Sequence, residues 1–253
     1  MPARHLTVRN LLTQAFVQFT SVDGKLLRSL RSLILKPGAI SNAYMQGSRK
    51  GFLGPIQLFL IANVLFIGVQ SLTQTSVFSS PLQSHLYHQD WSPLARHLVI
   101  IHLIKGPYTL AEFAPLFDQS AILHAKSLIV LMVGSFSVFL SLLFYGRNRP
   151  FAAHFIFSLN FYAFLLLLFC GSLAFMFVQK LLGGAGLDSG TVDIAITLFN
   201  LIACAFYLHL AIGKVYGATG AMQVVRAVLL SVIVTALVPV YRFTIFLITL
   251  YSV

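Results

Sequence analysis

Negative charge is scarce in this 253-residue chain: six Asp or Glu stand against seventeen Lys or Arg, and charged residues make up only 9% of the total. With 58% of residues hydrophobic, the chain has too little polar surface for an ordinary soluble domain, so one membrane domain with small flanking elements is the natural partition. Intramembrane enzymes need paired carboxylates, or a nucleophile with its base, at one depth. None of the long apolar stretches holds an acid in its middle, which argues against that class. Only two cysteines occur, Cys170 and Cys204. Counted from the cytoplasmic ends of their helices they lie ~28 Å and ~14 Å deep, too far apart in depth to pair. The run Gly183-Gly184-Ala185-Gly186 lacks the Lys-Ser/Thr of a phosphate loop and reads as a flexible turn. Arg9, Gln14, Gln18 and Asp23 interrupt the first apolar residues, so no cleavable signal peptide is expected.

What the chain does contain is five apolar stretches of about 20 residues or more, each enough to cross ~30 Å of hydrocarbon as a helix. They run over 53–72, 126–145, 151–179, 191–213 and 224–250, preceded by an arm of residues 1–52 and separated by an external loop over 73–125. The fold expected is an all-α membrane protein: five transmembrane helices preceded by basic amphipathic interfacial helices.

Charge placement sets the orientation. The net charge of +11 could suggest nucleic acid, but eight Lys/Arg precede Phe52 against the single acid Asp23, which puts the N-terminus in the cytoplasm. The loop after the first span holds Asp90, Glu112 and Asp118 and is expected outside; Arg147 and Arg149 mark an inner turn; Asp188 marks an outer one; Lys214 and Arg226 flank an inner one. The C-terminus is then external.

Within the arm, Leu12, Phe16 and Phe19, then Leu27, Leu30 and Ile34, recur at helical spacing, and Asp23-Gly24 divides them into two helices. Lys25, Arg28 and Arg31 flank the second stripe. Such a helix either lies flat in the interface against anionic lipid heads or packs on the inner ends of the spans. Lys36-Pro37-Gly38 ends it, a short helix follows through Tyr44 with Gly47 as its cap, and Arg49 and Lys50 mark the headgroup level.

Candidate sites are few. His85-Leu-Tyr-His88 beside Asp90 has ligand chemistry for a transition metal, but Pro81 and Pro93 do not favour the helix that would align it, so these read as surface groups and no metal is assigned. Polar side chains inside spans are costly and turn toward the bundle. His154 and His209 lie at matching depth near the cytoplasmic ends of the third and fourth spans, so they and Asn160 are assigned either to one polar pocket or to separate helix-locking bonds. Arg242, ~26 Å into the last span, either snorkels to the outer interface or forms an ion pair with Asp193, with Asp188 as the next acid by depth. Gly213-x-x-x-Gly217 has helix-association spacing, but Gly217 reads more simply as a helix terminator.

Three blocks carry a resemblance. Asp23-Gly24-Lys25 with Leu33-Ile-Leu-Lys-Pro37-Gly38, Tyr44-Met-Gln-Gly47-Ser-Arg49-Lys50 and Pro55 is one; His154-Phe-Ile-Phe157-Ser-Leu-Asn160-Phe-Tyr-Ala-Phe164 is the second; Tyr207 with Val215-Tyr216-Gly217 is the third. In this order they resemble an uncharacterised family of bacterial five-span inner-membrane proteins, many of which begin with a zinc ribbon. The resemblance implies fold and location and carries over no activity. This chain lacks the paired Cys-x-x-Cys of the ribbon, so no zinc is implied, and Asn160 stands where a second histidine is common.

The function expected is that of a non-enzymatic inner-membrane protein binding anionic lipid or a protein partner, with no cofactor and no nucleic acid. The alternative is a small transporter or lipid-handling protein with a polar intramembrane cavity.

Overall fold

The computed structural model describes residues 24–48, 51–183 and 190–253. The expected first arm helix, Arg49, Lys50 and Asp188 lie outside these residues. Every regular element among the described residues is helical.

The arm contributes α1 (24–35) and α2 (Ala39–Met45). Lys36-Pro37-Gly38 separates them as expected. Gly47 closes α2 at φ 76°, with Ser48 N–H on the Ala43 carbonyl (2.9 Å) and Gly47 N–H on that of Tyr44 (3.3 Å), the two bonds that satisfy a helix end at a left-handed residue. Then follow α3 (Pro55–Thr73), α4 (Leu82–Tyr87), α5 (Ser92–Lys105), α6 (Leu110–Ser127), α7 (Val130–Leu143), α8 (Phe151–Leu181), α9 (Gly190–Tyr216) and α10 (Gly220–Ser252).

Four helices, α3, α8, α9 and α10, are long and apolar enough to cross a membrane; a fifth crossing requires α6 and α7 together, which meet at 48°. The stretch expected as one span over 126–145 is therefore broken. The cause is 116 residues away. The Tyr241 hydroxyl donates to the Ala125 carbonyl at 2.7 Å, the acceptor that Ile129 N–H would use in a continuous helix. A side chain inserted into the helical ladder is a sufficient cause of a kink.

The core is a packed bundle in which α8 is central, meeting α2, α3, α7 and α9, while α10 meets α6, α7 and α9. The ring contact Phe66–Phe169 (6.3 Å) sets the register of α3 against α8. Phe66 is 11 residues into its helix and Phe169 is 18 into its own, so α8 begins about seven residues, or ~10 Å, beyond the start of α3. This projecting end, where the arm packs, is the arm end; the other is the cap end.

At the cap end, α4–α6 pack onto the last turns of α10, with His85, Phe117 and Trp91 against Phe243 and Phe246. The expected helix over 94–104 is α5. Pro115, expected to cut this segment, instead lies inside α6, where it displaces one backbone bond without ending the helix. Thr109 and Glu112 cap α6 through the Glu112 carboxylate, which accepts from the Thr109 N–H (2.9 Å) and hydroxyl (2.8 Å). Asp118 accepts the Leu82 N–H at 2.6 Å and ties α4 to α6.

Candidate functional site

The described residues of the three sequence blocks converge at the arm end. Gly38, with φ 74°, lies against α9 so closely that a Cβ there would stand 2.9 Å from the Ala211 carbonyl oxygen and 3.1 Å from its Cα. Any side chain would push α2 off the bundle. From this anchor α2 reaches between α8 and α9, and the buried Ser41 hydroxyl accepts from the Asn160 amide at 3.0 Å. Tyr207 closes the floor, its ring stacked on Phe164 at 3.8 Å between centroids. Lys36, Gly38, Ser41, Asn160 and Tyr207 thus line one narrow cleft. Asn160 Oδ1 is buried in it without a hydrogen-bond partner among the described residues.

The arm takes the second of its expected placements, with one face packed on the ends of the spans. Ser29 and Leu33 are buried, and the Ser29 hydroxyl accepts the Leu53 N–H at 2.9 Å. On the opposite face Leu27, Ile34 and Leu35 are exposed together with Lys25, Arg28 and Arg31. Arg147, Arg149 and Lys214 add exposed bases at the same end. None of the four described acids is there: Asp90, Glu112 and Asp118 belong to the cap segment, and Asp193 to the first turn of α9.

A second cluster joins α7, α8, α9 and α10. His154 Nδ1 lies 2.9 Å from the Tyr216 hydroxyl, with the two ring planes within 10° of parallel. Phe144 stacks on Tyr216 at 4.1 Å, and the Arg226 guanidinium sits 5.0 Å over the Phe144 ring. Arg147 donates to the Gly217 carbonyl at 3.3 Å, and Gly217, with φ 63°, ends α9 as expected. This is a cation–π and aromatic column, which locks helix ends.

His209 does not join it. The expected depth match placed the end of the fourth span at residue 213, whereas α9 continues to Tyr216. His154 meets Tyr216 itself, seven residues or ~10 Å along the helix from His209. The imidazole of His209 makes no hydrogen bond or ring contact with described residues, while its backbone carbonyl accepts from Gln223 at 2.7 Å. Gly213 makes that bond possible: a Cβ there would stand 2.5 Å from Gln223 Nε2. Its role is clearance for a side chain rather than close helix association.

Nor does the structure bring Arg242 to Asp193. Segment 74–81 crosses the cap end with Phe78 wedged against Phe66, Phe169 and Tyr241, so the Val77 carbonyl becomes the nearest acceptor and Arg242 donates to it at 2.6 Å. Asp193 is exposed. His85, expected as a surface group, is 1% exposed, packs against the Phe246 ring at 4.8 Å with the planes tilted by 32°, and accepts the Trp91 indole N–H at 3.1 Å through Nδ1. Burial, then the charge of Arg242, push its pKa from the usual 6.5 to about 4.

The sequence did not single out Ser41, Phe144 and Gln223, and marked Arg226 only as a base flanking an inner turn. Gln223, a polar residue in the first turn of a long apolar helix, was the one with a readable signal.

A protein family of unknown function, DUF3667, matches over residues 23–67, which hold α1, α2 and most of α3. No curated protein and no solved structure matches the chain.

Proposed function

We propose that this is an integral membrane protein that holds anionic lipid headgroups through its arm, with Lys25, Arg28 and Arg31 as the contact residues. Five crossings are counted, with α6 and α7 forming one bent span, in a bacterial inner membrane, the arm cytoplasmic and the C-terminus external. The observation that carries the reading is charge segregation: exposed bases crowd the arm end, and every described acid lies elsewhere. Near a membrane surface each such base contributes on the order of 1 kcal/mol toward anionic lipid, screened by salt. The buried face of α1 and the Gly38 anchor support it further, because they fix the basic face in place before lipid arrives, and preorganisation lowers the cost of binding. The tight cleft at Asn160 and the packed core favour a binding protein over a polar transport path.

The test is lipid retention by the full chain purified in mild detergent. Native mass spectrometry should find anionic phospholipid retained over zwitterionic phospholipid, with the preference reduced in the Lys25→Gln, Arg28→Gln, Arg31→Gln triple variant. Equal retention of both lipid classes by the wild type would overturn the reading.

A further inference from the structure

A lateral groove between α8 and α9 borders the cleft at Phe164 and shares no residue with the aromatic column. Its volume is about 580 Å³, and its walls include Phe164, Gly171, Phe175, Ala195 and Phe199, with Ile34 of α1 at one end. It exists because the two helices part beyond the Phe164–Tyr207 stack: most of α9 from Gly190 to Ile202 is exposed. Small residues widen the gap, since a Cβ at Gly171 would meet no atom within 4 Å. The polar Ser172 does not offer a free hydroxyl, which donates to Asn200 at 2.8 Å. The groove is thus apolar along its length, in a region of the helices that faces hydrocarbon.

Its dimensions and its mouth point to one class of occupant. From Phe164 to Phe175 is eleven residues, or ~16 Å of helix, close to the ~15 Å hydrocarbon depth of a single leaflet. Ile34, at the mouth, shares its helix face with the exposed Arg31 one turn earlier, and the exposed Lys36 follows two residues later. No described carboxylate lies at this end to neutralise them. An apolar slot one leaflet long, opening beneath two bases that no described carboxylate neutralises, is complementary to an anionic phospholipid.

We infer that the α8–α9 groove holds an acyl chain of a single anionic glycerophospholipid whose phosphate is held by Arg31 and Lys36. This rests on the lipid-binding reading above and makes it specific: the arm selects the headgroup, and the groove turns a diffuse attraction into one site per chain.

Gly171→Leu tests the groove, because the new side chain enters open space and replaces glycine inside a helix, so the fold is retained. Ala195→Leu fills the facing wall as a second, independent variant. The full chain is delipidated, titrated with phosphatidylglycerol or phosphatidylcholine, and scored by native mass spectrometry. The expected result is one tightly retained phosphatidylglycerol per wild-type chain, with affinity reduced about tenfold, the equivalent of 1.4 kcal/mol, by either groove variant and by Arg31→Gln. If both groove variants retain phosphatidylglycerol like the wild type while the arm triple variant loses it, the groove inference is overturned and the headgroup reading stands. If the groove variants weaken both lipids equally, the groove takes boundary lipid without selecting a headgroup, which also overturns it. If they instead abolish a dimer and leave lipid unchanged, a second copy of the chain is the occupant and the inference fails. Failure of all variants to change an equal retention of both lipids would overturn both readings.

Discussion

The Tyr216 hydroxyl and His154 Nδ1 are 2.9 Å apart across α9 and α8, and Tyr216 also stacks on Phe144 of the turn after α7. One side chain thus joins three helices by two kinds of interaction, and the two can be separated. Tyr216→Phe keeps the stack and deletes the hydroxyl, at a cost of about 1 kcal/mol. Tyr216→Ala removes both and costs about 3 to 5 kcal/mol. Unfolding of the purified chain in detergent measures the difference; equal losses would mean that the hydrogen bond, not the aromatic column, holds this end together.

Gly38 and Gly47 share a left-handed backbone, at φ 74° and 76°, but only Gly38 faces another helix at contact distance. Ala at either position incurs a backbone penalty of about 1 to 2 kcal/mol. Gly38→Ala also collides with the backbone of Ala211, so it should detach the arm, with faster proteolysis in residues 24–48. Gly47→Ala should leave the arm docked. Equal proteolysis of the two variants would show that Gly38 serves the turn alone.

His85 gives the cap a pH dependence. Its pKa is lower when folded, about 4 against 6.5, so the unfolded chain binds the proton more readily. Stability contributed by the neutral imidazole is therefore complete above pH 6.5 and is lost progressively toward pH 4. Protonation also places a donor opposite the indole N–H of Trp91, the single tryptophan of the chain. Trp91 emission should shift to longer wavelength as pH falls through this window, and His85→Gln should remove the shift. Emission that stays constant down to pH 4 would count against the coupling.

Gly213 and Gln223 should behave as one unit. Gly213→Ala displaces the Gln223 amide and breaks its bond to the His209 carbonyl; Gln223→Ala removes the same bond, at a cost of about 1 kcal/mol. In a double-mutant cycle the combined loss should be smaller than the sum of the single losses by about the value of that bond. Strict additivity would separate the two residues.

Arg242→Met should loosen the cap segment over 74–81, read as faster hydrogen exchange, because the partly buried Val77 carbonyl loses its charged donor at a cost of about 1 to 3 kcal/mol. Asp193→Asn should leave exchange unchanged. A matching effect of both substitutions would restore the ion pair that the geometry does not form.

Much of this protein is local in origin. Partitioning into a membrane is a sum over neighbouring residues, so apolar runs and the absence of mid-span acids suffice to pick out helices long and apolar enough to cross one. Helix ends at Gly38, Gly47 and Gly217 follow equally from residues that tolerate positive φ. Depth along a helix is nearly legible too, through a rise of ~1.5 Å per residue, but only when the end is known, and the three residues by which α9 outruns its expected limit separated His209 from His154. What no local pattern encodes is azimuth, the direction each helix turns toward its neighbours. That alone decided that Ser41 meets Asn160, that Tyr241 interrupts the helix at Ala125, and that Arg242 finds the carbonyl of Val77 rather than a carboxylate. Each of these pairs spans more than a hundred residues of sequence, and its geometry exists only once the helices have packed.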